Sequence, residues 1–222
     1  MTVDFDLNDT YKHKGLRRRL VELIRSKGIQ DERVLKAIEK VPRHFFLDSA
    51  FQELAYEDQA MPIDEDQTIS QPFTVAYQTE KLEVDEGHKV LEIGLGSGYQ
   101  ACVLLELGAE VYSIERIPAL YEKAKILLPL MNYHPKMFLG DGTLGLPEHA
   151  PFDRIIVTAA APEIPKALIK QLKIGGKMII PVGNRQVQTM YQLTKISETE
   201  VRKKALDTFR FVPLVGKQGW KI

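Results

Sequence analysis

With 222 residues the chain can enclose one sizeable core, and its length does not call for two domains. It is 44% hydrophobic and 27% charged, with 30 basic residues against 30 acidic ones, which is ordinary for a globular protein and argues against a general nucleic-acid or membrane partner. The single cysteine, Cys102, excludes an internal disulfide. The N-terminus has no uncharged apolar run resembling a signal peptide. Apolar runs such as Arg154 to Ala161 are strand-sized, far short of the roughly 20 residues that span a bilayer. The expected compartment is the cytoplasm.

The first 60 residues read as helical: Asp9 to about Lys27, then Asp31 to Val41. In the second, Asp31 can cap, and Val34, Leu35, Ile38 and Val41 form an apolar stripe ahead of Pro42. The basic cluster Lys12, Lys14 and Arg17 to Arg19 shares a stretch with Leu16, Leu20, Leu23 and Ile24 at helical spacing, so it is expected on a solvated helix face. A loop with Met61-Pro62-Ile63 and a polar run to Ser70 follows, and Pro72 opens a helix reaching Leu82.

From residue 88 short apolar runs alternate with helical ones. Strands are predicted at Lys89–Ile93, Glu110–Ile114, Lys136–Leu139, Arg154–Thr158 and Lys177–Val182, and helices at Tyr99–Leu107, Pro118–Leu130 and Pro165–Leu172. This alternation implies an α/β fold with a doubly wound, Rossmann-like, mostly parallel sheet. Val187 to Ile196 and Val201 to Val212 lack an intervening helix and should form an antiparallel hairpin at the sheet edge. One domain is expected, residues 1–85 forming a helical extension with an active-site loop and residues 86–222 the cofactor-binding core.

Ligands of such sheets bind beyond the carboxyl ends of the strands at the switch point. There the chain reads Val90-Leu91-Glu92-Ile93-Gly94-Leu95-Gly96-Ser97-Gly98-Tyr99, whose alternate glycines permit a sharp turn and close ligand approach. Gly96-x-Gly98-x-x-Ala101 also fits a dinucleotide pattern. Charge separates the two readings: Glu92 would repel a pyrophosphate but suits the cationic methionyl end of S-adenosylmethionine. Glu115, ending the second strand, is placed for ribose hydroxyls, and Asp141 within Gly140-Asp141-Gly142 for an adenine amino group. The loop Gln67-Thr68-Ile69-Ser70-Gln71-Pro72 offers amides and a hydroxyl to a carboxylate, with Ser70 as a plain helix N-cap the simpler alternative. His13, His44, His88, His134 and His149 are scattered, and no metal site is expected. Cys102 is expected to pack rather than react.

Together these segments resemble protein-L-isoaspartate O-methyltransferases. The matching stretches are the Thr68-Ile69-Ser70 loop, Val90 to Gly94 with Gly96 to Ala101, Ser113-Ile114-Glu115-Arg116, Gly140-Asp141-Gly142, Pro151-Phe152-Asp153, Thr158 to Pro162, Gly175-Gly176, Pro181-Val182-Gly183 and Arg210-Phe211-Val212-Pro213-Leu214. They run in the family's order from about residue 42 onward. The resemblance implies transfer of a methyl group from S-adenosyl-L-methionine to the α-carboxylate of L-isoaspartyl residues in damaged proteins, with the ester collapsing to a succinimide. It implies Ser70 as the active-site hydroxyl and a cofactor site drawn from Thr68, Ile69, Glu92, Gly94, Gly96, Gly98, Tyr99, Gln100, Glu115, Arg116, Asp141, Gly142 and Thr158. The loop Thr158 to Pro162 would wall part of the substrate pocket. Leu95 and Phe73 depart from the residues common in relatives. The expected partners are isoaspartyl peptides or proteins, without nucleic acid or membrane, and the expected state is a monomer. The competing readings are a methyltransferase of small molecules or nucleic acid, a nicotinamide oxidoreductase, and a noncatalytic binding protein.

Overall fold

The computed structural model describes Phe5 and residues 7–221. The chain begins with helices α1 (Tyr11–Ser26) and α2 (Glu32–Lys40), followed by 3-10 turns over Arg43–Phe46 and Ser49–Leu54. A short antiparallel hairpin, β1 (Met61–Pro62) and β2 (Thr68–Ile69), leads into α3 (Pro72–Leu82). Then come β3 (Lys89–Ile93), α4 (Tyr99–Glu106), β4 (Glu110–Glu115), α5 (Pro118–Leu130), β5 (Lys136–Leu139), β6 (Phe152–Val157) and α6 (Lys166–Gln171). Three adjoining strands, β7 (Leu172–Gly183), β8 (Gln188–Lys195) and β9 (Val201–Phe209), finish the fold.

Local chemistry accounts for the helix starts. Thr10 and His13 form a reciprocal cap on α1, each side chain accepting from the other's backbone amide at 3.3 Å. Asp31 caps α2 by accepting from the Arg33 amide at 2.8 Å. Pro72, with no N–H to leave unsatisfied, opens α3.

The sheet order is β5-β4-β3-β6-β7-β8-β9, parallel as far as β7 and antiparallel beyond it. The doubly wound sheet with its terminal antiparallel strands is therefore present. Because helices or loops cover both faces, the central strands are apolar in nearly every position. Val90, Val111, Ile156 and Ile179 face one core, shared with Leu20, Ile24, Leu35 and Val75 of the N-terminal helices. Leu91, Ile93, Ile114, Ile155 and Val157 face the other, with Leu168 of α6. The period of two along each strand thus sorts neighbouring residues into separate layers.

The structure corrects several expectations. The hairpin β1–β2 lies inside what reads as loop, and β7 starts five residues earlier than Lys177. Arg17 is 6% exposed rather than solvated. Its guanidinium donates to both Asp9 carboxylate oxygens at 3.0 and 3.2 Å and to Tyr56 Oη at 3.0 Å, partners that only the tertiary fold supplies. Among the described residues no helix is long and apolar enough to cross a membrane.

Candidate active site

The exits of β3, β4, β5 and β6 converge with the hairpin and the C-terminal segment on an open cleft of about 960 Å³. Its floor is the turn Gly94–Gly98, in which all three glycines adopt positive φ, Gly94 at 96°. At Gly94 a side chain has no room, since a Cβ there would sit 2.5 Å from Thr158 Oγ1. That hydroxyl is itself anchored, lying 2.9 and 2.7 Å from the Ile93 and Gly94 carbonyls to which it donates.

Glu115 closes the turn from β4. Its Oε2 accepts from the Gly96 amide at 2.8 Å, and Oε1 accepts from the amides of Arg116 at 2.7 Å and Ile117 at 2.8 Å. A carboxylate offers about four acceptor directions, so roughly one on Oε2 remains for a ligand hydroxyl. Ile93, Leu95, Ile114, Ile117 and Leu120 make the remaining walls apolar. This is a donor and acceptor set suited to a nucleoside: a carboxylate for a sugar hydroxyl, apolar walls for a base, and a glycine turn that admits close approach.

A second cleft, of about 1210 Å³, adjoins the first and is lined by Gln71, Phe73, Val187 and the stretch Thr208 to Phe211. Thr68, Ser70, Thr158 and Val212 line both clefts, so they stand at the junction. Ser70 does not cap α3. The N-cap position belongs to Gln71, and among the described residues the Ser70 hydroxyl has no hydrogen-bond partner.

Of the residues expected to bind a cofactor, Thr68, Ile69, Gly94, Gly96, Tyr99, Gln100, Glu115, Arg116, Gly142 and Thr158 line the first cleft, with Ser70 beside them. Three do not. Gly98 sits behind the turn, where a Cβ would meet Leu128 at 2.9 Å. Asp141 turns toward the C-terminal segment, its Oδ1 accepting from the Thr143 amide and hydroxyl and its Oδ2 from the Lys217 amide. Glu92 is fully buried, with Oε2 accepting from Ser113 Oγ and Oε1 meeting no partner among the described residues. Burial, reinforced by the nearby charge of Glu115, pushes its carboxyl up to about 8 against the weaker pull of the Ser113 hydrogen bond. Burial thus favours the uncharged form of Glu92, against the sequence expectation of a carboxylate facing the ligand.

Other side chains of the site are assigned no role by the sequence, although Ser97 and Arg210 lie within the matching stretches. Ser97, Leu120 and Val215 line the first cleft, and Arg210 lines the second while pairing with no carboxylate among the described residues. The departures from the family pattern are both accommodated, Leu95 at 3% exposure in the core and Phe73 on the second cleft against Tyr77. Cys102 is buried, which raises its thiol well above the usual range and keeps it unreactive. The histidines are less scattered than they read: the His13 and His44 rings lie with centroids 3.9 Å apart, tilted by 41°, beside Asp9. That cluster is poorly suited to a metal, because Arg17 holds Asp9 and both His44 nitrogens already contact Tyr56 Oη and the Asn8 carbonyl.

Neither cleft is lined by a histidine, a lysine or a cysteine among the described residues. A nucleoside pocket at the carboxyl ends of a doubly wound sheet, opening onto an acceptor groove, is the arrangement of a Rossmann-like methyltransferase. Comparison with known proteins agrees. The chain is 55% identical to a protein-L-isoaspartate O-methyltransferase of Cytophaga hutchinsonii, over 96% of this chain and 97% of that one. It is 50% identical to the enzyme of Dictyoglomus thermophilum, over 99% of this chain and 100% of that one. Among solved structures, a protein-L-isoaspartate O-methyltransferase superposes with TM-score 0.83 at 31% identity, covering 91% of this chain and 67% of the other. A Plasmodium falciparum protein described as a putative protein-L-isoaspartate O-methyltransferase, in complex with S-adenosyl-L-homocysteine, gives 0.77 at 26% identity, covering 91% and 98%. The model of the protein-L-isoaspartate(D-aspartate) O-methyltransferase family matches residues 16–219, and the chain belongs to that family. It is an S-adenosyl-L-methionine-dependent enzyme that acts on isoaspartyl-containing proteins.

Proposed function

We propose that the enzyme esterifies the α-carboxylate of L-isoaspartyl residues at the junction of the two clefts, the first step of a repair that proceeds through a succinimide. The observation that carries this reading is the position of Ser70, on the shared wall of both clefts with its hydroxyl uncommitted. S-adenosyl-L-methionine supplies a methyl group made electrophilic by its sulfonium. Glu115 would hold the ribose, and Gly94, Gly96, Thr68, Ile69, Tyr99, Gln100, Arg116, Gly142 and Thr158 would form the surrounding wall. Glu92, Gly98 and Asp141 would act from behind that wall, by shaping the turns.

A main-chain-type α-carboxyl has an unperturbed pKa of about 3.5, so the acceptor is already a nucleophile at neutral pH. What the protein must add is alignment and the removal of water. Ser70 would orient the acceptor carboxylate by donating a hydrogen bond, and Arg210 would draw that anion into the second cleft. The open shape of that cleft supports an exposed peptide segment as substrate. The same reading takes the chain as one domain, working as a monomer in the cytoplasm without nucleic acid or membrane; light scattering tests its oligomeric state.

Incubation with methyl-labelled cofactor should place base-labile label on an isoaspartyl peptide and none on its aspartyl isomer. Equal labelling of both, or of neither, refutes the assignment. Ser70→Ala should lower kcat by about 10- to 100-fold while leaving the affinity for S-adenosylhomocysteine within about 3-fold. Unchanged turnover would remove Ser70 from the active site.

A further inference from the structure

Ser70 is held by little of its own. Its hydroxyl is uncommitted, and the hairpin that precedes it consists of only two residue pairs, Met61 with Ile69 and Pro62 with Thr68. On its other side lies the start of α3, whose N-cap, Gln71, accepts from no backbone amide of its own first turn. Helix starts leave amides that need partners.

The partner here comes from outside the helix. Asp58, its side chain only 4% exposed, accepts from the Phe73 amide through Oδ1 at 2.8 Å. Its Oδ2 accepts from Gln71 Nε2 at 3.1 Å and from Lys27 Nζ at 2.5 Å. Gln71 Nε2 also donates to the Asp58 carbonyl at 2.9 Å, and Gln71 Oε1 accepts from Thr74 Oγ1 at 3.3 Å. A buried anion at this end of a helix is also favoured by the helix dipole. Lys27 is the C-cap of α1, so the clamp ties the N-terminal helices to the residue that follows Ser70.

We propose that Asp58 is a positioning residue for methyl transfer, fixing the first turn of α3 and with it the Ser70 hydroxyl, and that α1 supports the active site through Lys27. This rests on the assignment of Ser70 given above. Thr68 and Ile69 apart, the cofactor wall is held independently of the clamp, Glu115 and the glycine turn being fixed by backbone amides and by Thr158. A cap that served stability alone would affect both sides alike; a positioning role predicts a split.

The test is steady-state kinetics with an isoaspartyl peptide, calorimetric titration with S-adenosylhomocysteine, and a melt to establish folding. Asp58→Ala should lower kcat by about 10- to 100-fold with cofactor-product affinity within about 3-fold. Asp58→Asn, which keeps an acceptor for the Phe73 amide, should recover most of that loss. In the double variant with Ser70→Ala, kcat should fall no further than in Ser70→Ala alone, because residues acting as one unit are not additive. A folded Asp58→Ala with parental kcat, or one that multiplies the loss of Ser70→Ala, overturns the inference. Ser70→Ala by itself reads the underlying assignment: a loss there with none in Asp58→Ala overturns only the role of Asp58, whereas no loss in Ser70→Ala overturns both. Should Asp58→Ala not fold, Lys27→Gln removes only the tether and should lower kcat by about 3-fold. Unchanged kcat in that variant likewise overturns the proposal.

Discussion

Gly94→Ala should weaken S-adenosylhomocysteine binding by about 100-fold, or ~3 kcal/mol, and lower the melting temperature as well. Two separate costs converge on this position. The backbone φ of 96° lies where an L-residue is strained, and a Cβ would meet Thr158 Oγ1 at 2.5 Å. Thr158 cannot simply swing away, since it is β-branched and its hydroxyl is bound to the carbonyls of Ile93 and Gly94. Relief must come from the turn itself, which forms the floor of the cleft. Adding Thr158→Ala to Gly94→Ala removes the collision but leaves the φ strain, so the Gly94→Ala loss should be smaller, though not absent, when measured against Thr158→Ala. Calorimetric titration of the three variants measures both parts. An affinity for Gly94→Ala within threefold of the parent would show that the turn adapts and that its geometry does not govern binding.

Glu92→Gln should make the protein more stable than the parent at pH 8.5 while narrowing that advantage at low pH. Glu92 lies on the central strand, fully buried, with its carboxyl pushed up to about 8 chiefly by burial. The unfolded chain releases this proton near 4.5, so between 4.5 and 8 the folded state holds the proton that the unfolded state has lost. Stability from this group is thus complete below pH 4.5 and drains away as pH rises to about 8. The span corresponds to at most ~5 kcal/mol, with relaxation around the charge reducing it. Glutamine, neutral throughout, keeps a carbonyl acceptor for Ser113 and has nothing to lose. Urea unfolding of both proteins at pH 5, 7 and 8.5 decides the matter, because other titrating groups cancel in the difference. Parallel stability curves would mean that Glu92 is already ionised in the folded protein.

The elements that could be read in advance are those whose cause is local. Lys89–Ile93 and Lys136–Leu139 appear with the predicted bounds, as does the helix Pro118–Leu130 behind its proline. Asp31 caps as read, and the glycine turn and Glu115 meet at one cleft because β3 and β4 pair in parallel, Ile93 opposite Ile114. The hairpin β1–β2 escaped notice for a physical reason. Its tip places Glu65 and Asp66 at positive φ, where turn chemistry would favour glycine or asparagine, and it is only two residues wide. Arg17 reads as solvated because its helix neighbours are, while Asp9 and Tyr56 bury it. Asp58 carries no local mark, since its partners Lys27 and Phe73 are distant in sequence.

Sequence alone determined what depends on backbone conformation and periodicity: a parallel sheet, a glycine turn that tolerates positive φ, a carboxylate ending the second strand, and a hydroxyl loop ahead of a helix. Only the tertiary structure decided which side chains face the cleft. It turned Glu92 inward and aimed Asp141 at Lys217, set Ser70 between two clefts, and clamped the loop with Asp58. The reason is that burial and partners far apart along the chain govern the charge and direction of a side chain, and no local pattern encodes either.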